Sequence, residues 1–329
     1  MNYRELNNTF KGINAWYKKK TKVLNIKSRP FNTAFIFYDI LNKIINENGS
    51  VLYVICTTEE DFAVKNKNEY YERTIGKFVD GNKGGNVKFI FIDEINFINE
   101  SYDLVIFDDI TIFSKINSEK LRQYVEKIYW KCKKIIIYSC DKVFPIGEKM
   151  ELIYLTLPVP MIEPRIISTR IKLEEDIPLV LYDYIKWYKD NRKNVLIVVP
   201  NESKLEKVYQ SYKNTLKISN IRVVKYSKND SFEFVKNIID EENETILIVT
   251  DLLGSYINNI GDLNVIILFA DDASYNYKKI VYTCGAINTK VNNLSEVLLV
   301  SRDISLEMDK SREIIRGFNK SLWDKRVLK

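Results

Sequence analysis

The sequence predicts an α/β fold of two tandem domains, each a mainly parallel sheet flanked by helices. Three observations lead there. Short continuous apolar runs rich in Val and Ile alternate with longer stretches of helical periodicity. Strands that are apolar on both faces belong in a parallel sheet covered by crossover helices. The alternation runs twice, and between the two runs, over residues 157–164, stand three of the seven prolines, Pro158, Pro160 and Pro164. Proline removes a backbone donor and restricts its predecessor, so neither helix nor central strand passes through. Finally, 329 residues amount to two domains at roughly 150 each.

The elements follow in order. In the first half the strands are read at 23–26, 51–55, 87–92, 104–107 and 135–138, with helices at 31–46 and 118–130. Over 31–46 the apolar residues Ala34, Phe37, Leu41, Ile44 and Ile45 recur at helical spacing. In the second half, helix 173–189 leads to strand 195–199, helix 203–212 to strand 221–224, and helix 232–239 to strand 245–249. Strands 265–269 and 297–300 follow, then a helix near 305–318. The expected organisation is a domain over 1–157 carrying a basic N-terminal segment, a linker over 158–164, and a second domain over 165–329.

Composition excludes several chemistries. Hydrophobic residues make up 46% and charged residues 29%, as in ordinary globular proteins. There is no histidine, which removes Ser-His-Asp and Cys-His catalysis and every His-ligated metal. The cysteines Cys56, Cys132, Cys140 and Cys284 form no Cys-x-x-Cys pair and sit in or beside apolar runs. Buried thiols in a reducing compartment are the expectation, with a cytoplasmic location and no membrane span. Net charge is +6, concentrated early. Residues 1–30 hold Arg4, Lys11, Lys18, Lys19, Lys20, Lys22, Lys27 and Arg29 against the single acid Glu5. With Tyr3, Phe10, Trp16 and Tyr17 interleaved, this segment either holds a polyanion and stacks on bases or forms a solvated lysine-rich surface. Trp130, Trp187 and Trp323 fall on helical patterns and are read as packing residues.

In parallel α/β sheets ligands bind beyond the carboxyl ends of the strands. Those places read Lys27-Ser28-Arg29-Pro30-Phe31-Asn32-Thr33, then Asp108-Asp109, Ser139-Cys140-Asp141, Thr250-Asp251 and Ala270-Asp271-Asp272. The acids Asp108, Asp109, Asp251 and Asp271 also allow a magnesium-dependent phosphoesterase, which no spacing favours. A pair of acids after an apolar strand serves equally well to cap the next helix.

The order of these segments resembles the motor domains of superfamily 2 helicases, and within them the competence-type DNA-uptake ATPase family ComFA. The matching stretches are Asn194-Val-Leu-Ile-Val-Val-Pro-Asn-Glu202, Ile246-Leu-Ile-Val-Thr-Asp251, Val265-Ile-Ile-Leu-Phe-Ala-Asp-Asp272 and Arg316-Gly-Phe-Asn-Lys320, with Asp103-Leu-Val-Ile-Phe-Asp-Asp109 in the first half. The resemblance implies two RecA-like domains, ATP and magnesium as ligands, and nucleic acid, above all DNA, as partner. It places nucleotide contacts at Arg29, Asn32, Thr33, Asp251 and Gly285. It assigns the catalytic acid pair to Asp108 and Asp109, with magnesium at Asp108.

The chain departs from that family where hydrolysis needs it most. The family's phosphate loop is Gly-rich and ends in Gly-Lys-Thr. Here it reads Ser28-Arg29-Pro30-Phe31-Asn32-Thr33, and only Thr33 agrees. The arginine-finger stretch reads Tyr282-Thr-Cys-Gly-Ala-Ile-Asn-Thr289, with Ala286 and Thr289 in place of both arginines. Such an arginine accelerates phosphoryl transfer by orders of magnitude. The expectation is therefore a sequence-tolerant nucleic-acid-binding protein with impaired or absent ATP hydrolysis. The nucleic-acid candidates are Trp16, Lys18, Lys19, Lys20, Thr57, Thr58, Asn201 and Thr250. Thr57 and Asn201 serve equally as helix caps. Two rivals remain: an active translocase with unorthodox motifs, and an inactive adaptor that keeps the fold for protein contacts.

Overall fold

The computed structural model describes residues 2–58, 86–152, 159–239, 244–254, 257, 263–287 and 295–324. Pro158 and Thr289 lie outside them. The chain divides into two compact units, residues 1–160 with 318–329, and residues 161–317.

The first unit is built on a six-stranded sheet in the order β3-β2-β4-β5-β1-β6. Its strands are β1 (Val23–Ser28), β2 (Val51–Ile55), β3 (Val87–Phe91), β4 (Tyr102–Asp108), β5 (Cys132–Ser139) and β6 (Glu148–Leu152). Every pairing is parallel. β2 is buried at all five positions, as its unbroken apolar run requires. Helix α1 (Tyr3–Tyr17) and helix α2 (Tyr38–Asn46) pack against each other. Helix α3 (Ser118–Ile128) buries Leu121, Tyr124, Val125 and Ile128 in a core shared with Val105, Phe107, Ile135 and Ile137 of the sheet.

α1 corrects the reading of the N-terminal segment. Leu6, Thr9, Ile13 and Trp16 are its buried face, and Asn2 caps it by accepting from the Glu5 amide at 3.2 Å. The expected helix at 31–46 splits into a 3-10 turn (Ala34–Phe37) and α2. Ahead of β6, Gly147 adopts φ 104°, and a Cβ there would lie 2.4 Å from the Val23 carbonyl oxygen. This is a position only glycine fills without strain.

The second unit carries a sheet in the order β7-β12-β11-β8-β10-β9, again wholly parallel. Its strands are β7 (Arg165–Ser168), β8 (Asn194–Val198), β9 (Ile221–Tyr226), β10 (Thr245–Thr250), β11 (Leu263–Leu268) and β12 (Val297–Ser301). Its helices are α4 (Leu179–Asp190), α5 (Glu202–Thr215), α6 (Phe232–Ile239), α7 (Tyr277–Ile287) and the larger part of α8 (Leu306–Asp324). α4 and α5 bury Leu181, Ile185, Tyr188, Leu205, Val208 and Tyr212 against β8, β10 and β11. α4 starts six residues later than the periodicity suggests because Pro178 is its N-cap, and Ile177 before it is barred from helical backbone.

The α/β fold of two parallel sheets flanked by helices is the expected one. The boundary between the units falls inside α8, whose last turns belong to the first unit. There Phe318 and Leu322 are buried, and the Lys27 ammonium lies 5.0 Å from the Phe318 ring centroid. Among the described residues no helix is long and apolar enough to cross a membrane.

Candidate functional site

In a parallel sheet all strands start at one edge and end at the other. In the first unit the order places β5 between β4 and β1. Register pairs Asp108 with Tyr138, and Lys27 with Ser139. The loop after β1, the acid pair after β4, and Tyr138 and Ser139 on β5 therefore gather at the carboxyl edge.

The loop after β1 is closed on itself. Ser28 is fully buried and its hydroxyl accepts from the Asn32 side-chain amide at 2.9 Å. The Asn32 carbonyl oxygen accepts from the Thr33 amide at 3.0 Å. The Thr33 hydroxyl caps the following turn, accepting from the Phe35 amide at 3.0 Å. Phe31 sits at φ 59°, uncommon for an aromatic residue, and its amide donates to the Ile110 carbonyl at 2.8 Å. Arg29 is buried, donates to the Val159 carbonyl at 2.7 Å, and has its pKa lowered by that burial. The charge expected to meet phosphate points into the protein.

The acid pair is engaged in the same way. Asp108 is fully buried. Its Oδ2 accepts from the Tyr53 hydroxyl at 2.6 Å and from the Thr111 hydroxyl. Its Oδ1 accepts from the amides of Ile110 and Thr111, both at 3.1 Å. Burial pushes its pKa above the ordinary carboxylate value, against the opposing pull of these four donors. Asp109 is also buried, and its Oδ2 accepts from the Ser139 hydroxyl at 2.7 Å.

These residues do not fit a magnesium nucleotide. A phosphate cradle needs free amides, close backbone approach and a cation. Here Pro30 has no amide, the Phe31 amide is used, Asn32 replaces the ammonium, and the Tyr53 hydroxyl is bonded to the acid. A carboxylate that holds magnesium must offer lone pairs outward, and both Asp108 oxygens accept from the protein. Among the described residues no group of three or more Cys, Asp or Glu is placed to hold a metal ion.

In the second unit the Thr250 hydroxyl is fully buried and accepts from the Leu252 amide at 3.0 Å. Asp251 is half-buried, and its pKa is raised by burial and, less, by the Glu202 charge. Gly285 and Ala286 lie within α7, so the stretch read as an arginine-finger loop is helical through Ile287.

The nucleic-acid candidates do not converge. Trp16 is 1% exposed, with the Lys134 ammonium 5.2 Å from its ring, so it cannot stack on a base. Thr57 is buried beside β2, and neither it nor Thr250 offers a hydroxyl to solvent. Asn201 is exposed but acts as the N-cap of α5, accepting from the Lys204 amide at 3.0 Å. Thr58 is half-buried. Lys18, Lys19 and Lys20 are exposed, and they immediately precede β1, at the edge of the sheet opposite Ser28, Asp108 and Thr57. A six-residue strand separates these edges by about 20 Å.

The residues that sequence reasoning passed over are Tyr53 and Thr111, which complete the Asp108 network, and Trp130. Trp130 was read as a packing residue and is 87% exposed, with Trp323 at 71% and Trp187 at 43%. Tyr53 had a usable signal, being a polar-tipped ring in the middle of an otherwise aliphatic strand.

No family model matches the chain, and no curated protein matches it at a significant level. Among solved structures, the crystal structure of the DUF1998 helicase MrfA bound to DNA aligns over 97% of this chain, with TM-score 0.48 and 11% identity. The chain spans about half, 51%, of the length of that protein.

Proposed function

We propose that this chain is a helicase-like, nucleic-acid-binding protein of ComFA-type ancestry in which ATP hydrolysis is absent or severely impaired. The observation that carries the reading is Asp108. The acid that would hold magnesium is fully buried and accepts four hydrogen bonds from its own protein. The fold is kept while the phosphate loop is closed by Ser28, Asn32 and Thr33. What remains to such a protein is sequence-tolerant contact with nucleic acid through backbone charge and base stacking. The reading of residues 1–157 and of the chain from 165 as two functional domains, with the last turns of α8 returned to the first, and a reducing cytoplasmic setting for the free thiols, belong to the same proposal.

Steady-state ATP hydrolysis with and without single-stranded DNA tests it. The expected rate is indistinguishable from background, and Asn32→Lys does not rescue it, because the glycine scaffold is also missing. Turnover of about 1 per second or more, abolished by Asp108→Ala, would overturn the reading in favour of a working motor. The adaptor reading draws support from α4, where Leu179, Val180 and Trp187 are exposed. A chain that binds no nucleic acid at low salt would favour it.

A further inference from the structure

We propose that the amino-terminal edge of the first sheet, centred on Trp130 and Lys22, is the binding surface for single-stranded nucleic acid. This rests on the nucleic-acid-binding reading above; it keeps the lysine run and sets aside Trp16 and the strand-end residues Thr57, Thr58, Asn201 and Thr250.

The ring comes first. Trp130 lies on the 3-10 turn Tyr129–Lys131 that enters β5, and it is 87% exposed. An indole left in water forgoes the burial that stabilises Trp16. Trp130 is nonetheless held in place: Tyr129 meets it edge-on, with centroids 5.2 Å apart at 83°. Tyr129 in turn stacks on Phe144, a core residue, at 6.0 Å. The result is a presented aromatic face on a rigid base.

The charge is built around it. The Lys22 ammonium lies 4.4 Å from the Tyr129 centroid and 5.7 Å from that of Trp130. Trp130 also lines an open cavity of about 410 Å³ together with Lys131, Lys133, Tyr102 and Asp103. Lys18 and Lys20 are exposed and make no ion pair among the described residues. The nearby carboxylates are mostly answered: Asp103 by Lys133 at 2.6 Å and the Ser50 amide at 2.8 Å, Glu148 by Lys19 at 2.8 Å, and Glu100 by Lys88 at 2.9 Å. Glu47 stays exposed at the rim. The surface is therefore net cationic around one stacking ring.

Parallel topology explains the gathering. Ser50, Tyr102, Cys132 and Lys22 stand at the starts of β2, β4, β5 and β1, which share one edge. A base free to lie on an indole must be unstacked, which selects single strands over duplex, while lysines beside the ring meet the phosphates of any sequence.

The test is fluorescence anisotropy of the full chain with a labelled oligothymidylate and a duplex of equal length, across a salt series. Trp130→Ala is expected to weaken single-strand binding about tenfold or more and leave the log–log salt slope unchanged. Trp130→Phe should stay within about threefold of wild type, since a face remains for stacking. Lys20→Ala with Lys22→Ala should reduce the single-strand slope by about 1.4. The duplex should bind more weakly than the single strand and ignore Trp130→Ala. Circular dichroism and urea midpoints verify that each variant is folded. If wild type binds and folded Trp130→Ala binds equally, this site is wrong while the nucleic-acid reading stands. If wild type binds neither probe at low salt, both fail and the surface falls to a protein partner.

Discussion

Truncating Trp16 to alanine empties a site beneath α1 where the ring is 1% exposed, so folding stability should fall by about 3–5 kcal/mol. Trp130→Ala should change stability by no more than about 0.5 kcal/mol. Urea unfolding of the two variants measures both, and equal losses would contradict this division of roles. The Trp16 outcome was legible in the sequence, where Leu6, Ile13 and Trp16 already fall on one helical face and the lysine run drew the eye away from it. The exposure of Trp130 was not legible, because it depends on where the turn before β5 ends. Asp108 gives a second residue-scale prediction. Its carboxyl pKa is raised by burial in the folded state. As pH climbs from the ordinary carboxylate value, the unfolded chain ionises first and the native state loses stability until Asp108 also ionises. Asp108→Asn cannot titrate, so the stability of the variant relative to wild type should rise with pH over that window. A flat or falling difference across a pH series of urea melts would mean that the four donors outweigh burial.

At the scale of elements, α5 depends on its cap and β6 on its turn. Asn201→Ala removes the acceptor for the Lys204 amide and should cost about 1 kcal/mol without altering nucleic-acid affinity. An affinity loss at unchanged stability would return Asn201 to the binding surface. Gly147→Ala must place a methyl group 2.4 Å from the Val23 oxygen at φ 104°, and should destabilise by more than about 1 kcal/mol. Measured urea midpoints would show it, and an unchanged midpoint would mean that the turn can relax. Of the twelve strands among the described residues, ten announce themselves as apolar runs, most of them because both faces are covered. β6 and β7 do not: β6 is mostly charged, β7 holds only two apolar residues, and between them a single position is buried. α7 was hidden for the opposite reason: buried almost all round, it has no polar face to mark a period.

At the scale of the molecule, the proposed reading separates the fold from catalytic capacity. The sheet orders rest on hydrophobic strands and crossover helices, which do not depend on the strand-end residues. The sequence shows that residues 28–33 and 282–289 lack the glycines, Lys and arginines of the family it resembles. It could not show that Tyr53 and Thr111 take up both oxygens of Asp108, because their convergence requires β2, β4 and the following loop to be assembled. Nor could it show that the basic run and the acid pair lie at opposite edges of one sheet.

The division inside α8 governs the order in which the polypeptide can mature on the ribosome. The first unit takes in Phe318 and Leu322, yet these are translated only after all of residues 161–317. Throughout that interval the nascent first unit shows water the apolar surface that Phe318 and Leu322 later cover, and such surface is what chaperones bind and aggregates share. A fragment ending at residue 160 keeps that exposure permanently. It should express less solubly than the intact chain and should recover when residues 306–324 are supplied as a separate peptide.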